Sequence, residues 1–262
     1  MKLEVRNGSF GYGDKLILKD INFEVGEKTI MTVLGPNGVG KTTMLKCIMG
    51  FLKWTKGDNY LDGRRIGSYT DKEFWRKTSY VPQAKRSVFS YRCIDMVVMG
   101  LSSRQNFFDT PSKEDYKKAE AVMDMLGISD LSEKHCNALS GGELQMIMIA
   151  RAIISEPELI ILDEPESNLD MKNQLRVIDS IVNITRKMGT SCLINTHFPD
   201  HALSISDTTL MLGYNNQLLL GRTEDIVTEE NIQRFFNVCS KIVSFNISSE
   251  EYRTIFPYKV AK

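Results

Sequence analysis

The sequence has no apolar run approaching the roughly 18 residues that a membrane-spanning helix needs. Its cysteines (Cys47, Cys93, Cys136, Cys192 and Cys239) are scattered, odd in number and without a Cys-x-x-Cys pair. That argues against a disulfide framework or a thiolate zinc site, and for reduced thiols in the cytoplasm. No excess of either charge exists: Lys+Arg and Asp+Glu number 33 each, so nothing favours a nucleic-acid surface or a polybasic membrane anchor. Met1–Phe10 alternates charged and apolar residues as a strand does, without the apolar centre of a signal peptide. Repeats, low-complexity tracts and long linkers are missing as well. Any role at a membrane therefore needs a partner.

What is present has the texture of an α/β protein. The 262 residues suffice for one large domain or two small ones with a buried core. Thr29–Leu34, Glu158–Leu162 and Thr190–Thr196 are brief, apolar and β-rich, as strands buried on both faces should be. Helical patterns alternate with them, which predicts a mostly parallel sheet. The first 28 residues read as antiparallel strands with a turn at Gly11–Asp14. From Cys93 to Ile154 the pattern is helical and rich in Met and Ala. One helix there is punctuated by a Ser112/Asp115 capping box and by Gly127 beyond its end, with Tyr116, Ala119, Met123 and Leu126 as its core stripe. Another helix spans about Met171–Met188, stopped by Gly189. The tail predicts a helix at Glu229–Phe236 and a short extension.

Gly35-Pro36-Asn37-Gly38-Val39-Gly40-Lys41-Thr42 fits G-x-x-x-x-G-K-[ST] between a predicted strand and a predicted helix. Glycines let backbone N–H groups curl around a phosphate, and the helix N-terminus adds a favourable dipole. Lys41 then reaches the β- and γ-phosphates, and the Thr42 hydroxyl ligates Mg²⁺. Such a loop needs an acidic partner for its magnesium, and Leu159–Asp163 is a buried strand ending in one, followed at once by Glu164. Neighbours on an extended segment point different ways. Asp163 is therefore expected to face Mg²⁺, and Glu164 the water that attacks the γ-phosphate. His197 and His201 have the i,i+4 spacing of a zinc pair, but Pro199 interrupts the segment and no third ligand stands nearby.

Leu139-Ser140-Gly141-Gly142-Glu143, before a helix and upstream of Asp163, resembles the LSGGQ signature of ATP-binding cassette (ABC) ATPases, with Glu in the last place. The resemblance runs along nearly the whole chain. It implies a P-loop NTPase core with an N-terminal antiparallel β subdomain and an inserted α-helical subdomain at about 90–155. On this reading residues 1–228 form the ATPase domain, and 229–262 the C-terminal helix and extension. Site roles follow residue by residue. Tyr12 matches the aromatic that stacks on adenine. Gly35 to Thr43 bind the nucleotide, including Pro36, Asn37, Gly38, Val39, Gly40 and Thr43. Gln83, in Tyr80-Val81-Pro82-Gln83, matches the glutamine that touches Mg²⁺ and the attacking water. Ser167-Asn168-Leu169-Asp170 matches the D-loop at a dimer seam, and His197 the histidine that contacts the γ-phosphate. Ser140, Gly141, Gly142 and Asp170 would complete the ATP site of a second copy in a head-to-tail homodimer.

Two positions depart from the family's pattern. Leu144 stands where relatives carry Arg or Lys and is expected to alter surface contacts; Glu166 replaces Thr after Glu-Pro and is expected to tune dimer closure. The segments Asp95–Gly100, Thr196–Ala202 and Gly221–Thr228 resemble ATPases serving importers of iron-siderophore complexes, haem and vitamin B12. That implies two transmembrane permease subunits, an extracytoplasmic binding protein, and a place at the cytoplasmic face of the cell membrane. The alternatives at this stage are a soluble ABC protein, such as one of iron–sulfur assembly, an ABC ATPase for another cargo, and a nucleotide sensor that does not hydrolyse. Glu164 argues against the last.

Overall fold

The computed structural model describes residues 1–83, 90–104 and 109–261. The chain folds into two compact units, one of Met1–Ser68 with Leu193–Lys262 and one of Tyr69–Cys192. In the first, β1 (Leu3–Tyr12) and β2 (Lys15–Val25) form a hairpin across Gly13–Asp14. Leu3, Val5, Ile21, Phe23 and Val25 turn inward while Glu4, Arg6 and Glu24 do not, the alternation of a half-buried antiparallel pair. β3 (Ile30–Leu34) is buried throughout and ends at the glycine-rich loop, after which α1 (Lys41–Ile48) begins. β4 (Lys56–Leu61) and β5 (Arg64–Arg65) extend the hairpin into a four-stranded sheet of order β2–β1–β4–β5.

The second unit opens with α2 (Asp71–Lys77), started by a Thr70/Glu73 capping box, and continues into β6 (Thr78–Val81). Next come α3 (Cys93–Val98), a 3₁₀ turn at Met99–Leu101, and α4 (Lys113–Met125). Residues Gln105–Phe108 of the predicted helical stretch lie outside the described residues. α4 starts at the expected Ser112/Asp115 box and ends before Gly127, whose φ is 65°. Of its stripe, Ala119 and Met123 are buried, whereas Tyr116 is half-buried and donates its hydroxyl to Asp95 at 2.9 Å. α5 (Gly141–Ile153) is apolar nearly all round, with Leu144, Met146, Ile147, Ile149, Ala150 and Ile153 buried, as a central helix must be. Then come β7 (Leu159–Asp163), parallel to β6, and α6 (Met171–Met188), closed by Gly189 in the left-handed conformation.

The chain re-enters the first unit along β8 (Ser191–Thr196) and adds α7 (Pro199–Ile205), β9 (Thr208–Leu212) and β10 (Leu218–Arg222). β9 runs parallel to β3, with β10 antiparallel on its other side and β8 next to β3. α8 (Thr223–Ile226) and α9 (Glu229–Phe236) follow. The extension is more than a short tail: β11 (Val238–Ile247) and β12 (Glu250–Val260) make a long hairpin around Ser248–Ser249, both at positive φ. Such φ values at two central residues suit a tight turn that follows the strands' own twist. Ile255 of the hairpin is buried with Leu34, Met211, Ile232 and Phe235, so the extension completes this unit's core.

All five cysteines are free thiols, with Cys239 half-buried and the rest buried. Among the described residues no helix is long and apolar enough to cross a membrane.

Close packing of the 3₁₀ turn on α5 explains Gly100. A Cβ there would lie 2.0 Å from the Arg151 carbonyl oxygen and 2.6 Å from Ile154 Cγ2, and neither rigid neighbour can yield cheaply. Gly100→Ala is expected to cost about 1–3 kcal/mol, the usual range for overpacking. Urea denaturation checks this: the midpoint should fall with the slope nearly unchanged.

Candidate functional site

In the first unit a buried strand delivers the chain to the Gly35–Gly40 loop, and α1 leaves from it. Gly40 sits at the helix N-cap with φ 103°, outside the range that a side chain adopts easily, and an added Cβ would meet Ile17 Cγ2 at 2.8 Å. No side chain caps α1. Its first N–H groups are thus available to an anion, with the dipole aligned. Lys41 is 4% exposed, and its ammonium donates to the Gly35 carbonyl at 2.8 Å and the Pro36 carbonyl at 3.0 Å. Asn37, Gly38 and Thr42 are exposed, Thr43 is half-buried, and Val39 is buried. The Tyr214 hydroxyl donates to the Asn37 carbonyl at 3.2 Å, a brace on the loop that the sequence did not advertise.

Two other predicted residues lie in this unit. Tyr12 ends β1 with 54% of its surface exposed, held edge-on by Phe10 at 4.9 Å and 89°. An exposed ring fixed in this way offers a flat face to an aromatic ligand. His197 follows β8 with its ring against Phe198 at 4.2 Å. Pro199 is the first residue of α7, so His197 and His201 do not share a helix.

The second unit carries the acids and the signature. Asp163 ends β7 at 7% exposure, and the Tyr80 hydroxyl donates to its Oδ2 at 3.3 Å. Glu164 takes φ 49°, a left-handed conformation that costs a non-glycine residue roughly 1–2 kcal/mol. Its side chain consequently leaves the strand's alternation, and the Ser167 hydroxyl donates to its Oε2 at 2.9 Å. Strain of this kind collects at functional sites. Gln83 is half-buried just beyond β6. Asp170 caps α6, accepting the Asn173 N–H at 2.8 Å and its amide at 3.1 Å.

Ser140 is the N-cap of α5 in a complete capping box: Glu143 N–H donates to its hydroxyl at 3.3 Å, and Ser140 N–H donates to Glu143 Oε2 at 2.8 Å. The Ser140 N–H and then its hydroxyl hold the Glu143 carboxyl below its usual range. Ser140 and Gly141 are exposed, while Gly142 is buried against Asn173 of α6. Ser-x-x-Glu is the same kind of helix start as the Ser-x-x-Asp at Ser112–Asp115, so this second role was legible. Leu144 corrects an expectation: at 6% exposure it belongs to the core, not to a surface contact, because α5 is buried nearly all round. Glu166 is likewise buried, at 0%.

The predicted residues thus divide. Tyr12, Gly35–Thr43 and His197 belong to the first unit; Gln83, Ser140–Gly142, Asp163, Glu164 and Asp170 belong to the second. Within the second, Tyr80 and Ser167 touch the two acids, and neither had a role from sequence alone. Both stand inside segments that the sequence singled out, but only strand register and loop geometry pair them with their partners.

Comparison with known proteins identifies the family. The model of the ABC transporter family matches residues 18–167. An iron chelatin transport ATP-binding protein of Helicobacter pylori is 34% identical over 238 residues, 90% of this chain and 93% of that one. The molybdate import ATP-binding protein MolC of Haemophilus influenzae is 34% identical over 237 residues, 90% of this chain and 88% of that one. Among solved structures, a metal-chelate type ABC transporter in an inward-facing conformation matches with a TM-score of 0.87 and 31% identity, over 98% of this chain and 97% of that one. A matched family model over more than half its length, carried on a phosphate loop built as described, makes this chain an ATP-binding member of the ABC transporter family.

Proposed function

We propose that this chain is the ATP-hydrolysing subunit of an ABC importer for a metal chelate. It would act as a homodimer at the cytoplasmic face of a membrane, beneath two permease subunits fed by an extracytoplasmic binding protein. The observation that carries the ATPase reading is the buried Lys41 ammonium, held on the carbonyls of its own uncapped loop. Residues 1–228 would supply the ATPase domain, and 229–262 a helix and hairpin that support it. The cargo reading leans on relatives: the Helicobacter protein is named for iron chelatin and the solved transporter for metal chelates. An equally similar relative is named for molybdate, so the cargo class is the part of this reading that the chain's own residues do not carry.

The chemistry follows from the residues. Loop N–H groups and the α1 dipole take the phosphates, and Lys41 exchanges carbonyl oxygens for β- and γ-phosphate oxygens that bear real charge, the stronger partners. Tyr12 stacks on the base. The Thr42 hydroxyl, the Gln83 amide oxygen and the Asp163 carboxylate are all hard oxygen donors and fit Mg²⁺, which takes few protein ligands beside phosphates and waters. When bound, Mg²⁺ neutralises charge on the phosphates. Glu164 accepts the proton of the attacking water as the water oxygen bonds to the γ-phosphorus and the bond to the ADP oxygen breaks. His197 contacts the γ-phosphate. Ser140, Gly141, Gly142 and Asp170 of one chain complete the site of the other, a two-fold arrangement that satisfies both sites at once.

Lys41→Ala is expected to abolish hydrolysis in a protein that still folds, with a modestly lowered melting midpoint, since it deletes a phosphate contact and two loop hydrogen bonds but no large apolar side chain. Steady-state phosphate release beside a thermal melt decides it, and normal turnover would remove the assignment. Glu164→Gln keeps size but loses the proton acceptor, a change worth about 10²–10⁴ in rate. The expected result is an ATP-loaded dimer on gel filtration with very slow turnover; a monomer hydrolysing at near-parent rate contradicts it. For the shared site, Lys41→Ala chains are mixed with Ser140→Arg chains, each inactive alone. A mixed dimer has one site with both lesions and one with neither, so turnover or trapping of one nucleotide should return. Mixed dimers that recover neither speak against sharing.

A further inference from the structure

Asp163 is a carboxylate at the end of a strand, and a carboxylate rotates broadly about its last torsion. Something must orient it if it is to serve a cation well. The parallel pairing of β6 with β7 sets Tyr80 beside Ile161. Ile161 and Asp163 share one face of β7, two residues apart, which makes Tyr80 and Asp163 diagonal neighbours within reach of an aromatic side chain. The ring leans along the strand direction and the hydroxyl meets Asp163 Oδ2 at 3.3 Å. A phenol hydroxyl is protonated at neutral pH and has one hydrogen to donate.

We infer that Tyr80 is a positioning residue: its hydroxyl restrains the Asp163 carboxylate in the orientation required by the divalent cation that accompanies ATP. The inference rests on the proposed role of Asp163. Hydrogen bonds to a ligating carboxylate tune its hold on a metal, commonly by 10–100-fold in affinity. At 3.3 Å this bond is long for a hydroxyl and a carboxylate, which places the expected effect at the low end or beneath it, about three- to tenfold. The plain alternative is that the hydroxyl merely satisfies a buried acid and contributes to folding.

Tyr80→Phe separates the two. It removes the hydroxyl and keeps the ring, which lines a cavity of about 310 Å³ with Trp75, Pro82, Met99 and Arg151 and would enlarge it if truncated. The dissociation constant of a non-hydrolysable ATP analogue is measured with excess Mg²⁺ and with EDTA, for the parent, Tyr80→Phe and Asp163→Asn, alongside thermal midpoints. The parent should bind more tightly with Mg²⁺, and Asp163→Asn should lose most of that gain. Tyr80→Phe should lose about three- to tenfold of it, with its EDTA constant unchanged. A Tyr80→Phe protein with the full magnesium gain, or one weakened equally in both conditions, overturns the inference and leaves Asp163 in place. A full gain in Asp163→Asn instead defeats the role of Asp163, and the inference with it.

Discussion

Lys41 carries a charge to a place where water hardly reaches, and the chain answers with the carbonyl oxygens of Gly35 and Pro36. An ammonium left there alone would carry a desolvation cost of several kcal/mol. Meeting it forces the loop to fold back on the lysine, and that curvature points backbone N–H groups the other way, toward whatever anion arrives. Neighbouring choices serve the same curve. Gly40 takes a conformation that a side chain would resist, β3 is buried along its length so that the loop springs from a fixed point, and Tyr214 ties down Asn37. A phosphate then meets a receptor whose shape was already required by a buried cation.

The second unit works by a different device. β7 ends abruptly in Asp163, and the chain enters the left-handed region at Glu164, so two adjacent carboxylates are aimed apart by backbone conformation. Each receives a hydroxyl, from Tyr80 or from Ser167. A strained residue would relax if its surroundings allowed it, and the buried Glu166, the Asp170 cap on α6 and the Ser167 bonds fix the turn on either side.

Much of this was legible in the order of residues. The phosphate loop, the acidic strand end, the caps of α4 and α6 and the helix Glu229–Phe236 announce themselves through motif, period or capping chemistry, each a signal local in sequence. What was missed depends on distant residues meeting. The pairing of Tyr80 with Asp163 needs a strand register, and the burial of Leu144 needs α5 to be enclosed on nearly every side. The hairpin at 238–260 was read only as a short extension: its apolar residues do not alternate cleanly, and its Ser248–Ser249 turn lacks the Asn-Gly signal that usually marks one. Ser140 shows a different gap. Its segment matched a phosphate-binding signature, and the same atoms also start a helix, so one reading hid the other.

The division of the chain has a consequence for the order in which it is made. The unit of Tyr69–Cys192 is continuous and is complete once those residues have left the ribosome. The other unit joins both ends of the chain: Leu34, which leads into the phosphate loop, packs in one cluster with Ile255. Synthesis proceeds at about 5–20 residues per second, so Leu34 and the loop it leads into wait many seconds for Ile255. Meanwhile Leu34, at the end of β3, has not met the late residues of its cluster. The strand that leads into the phosphate loop is therefore among the last to have its core closed, and residues far from any motif, around Ile255, decide when that happens.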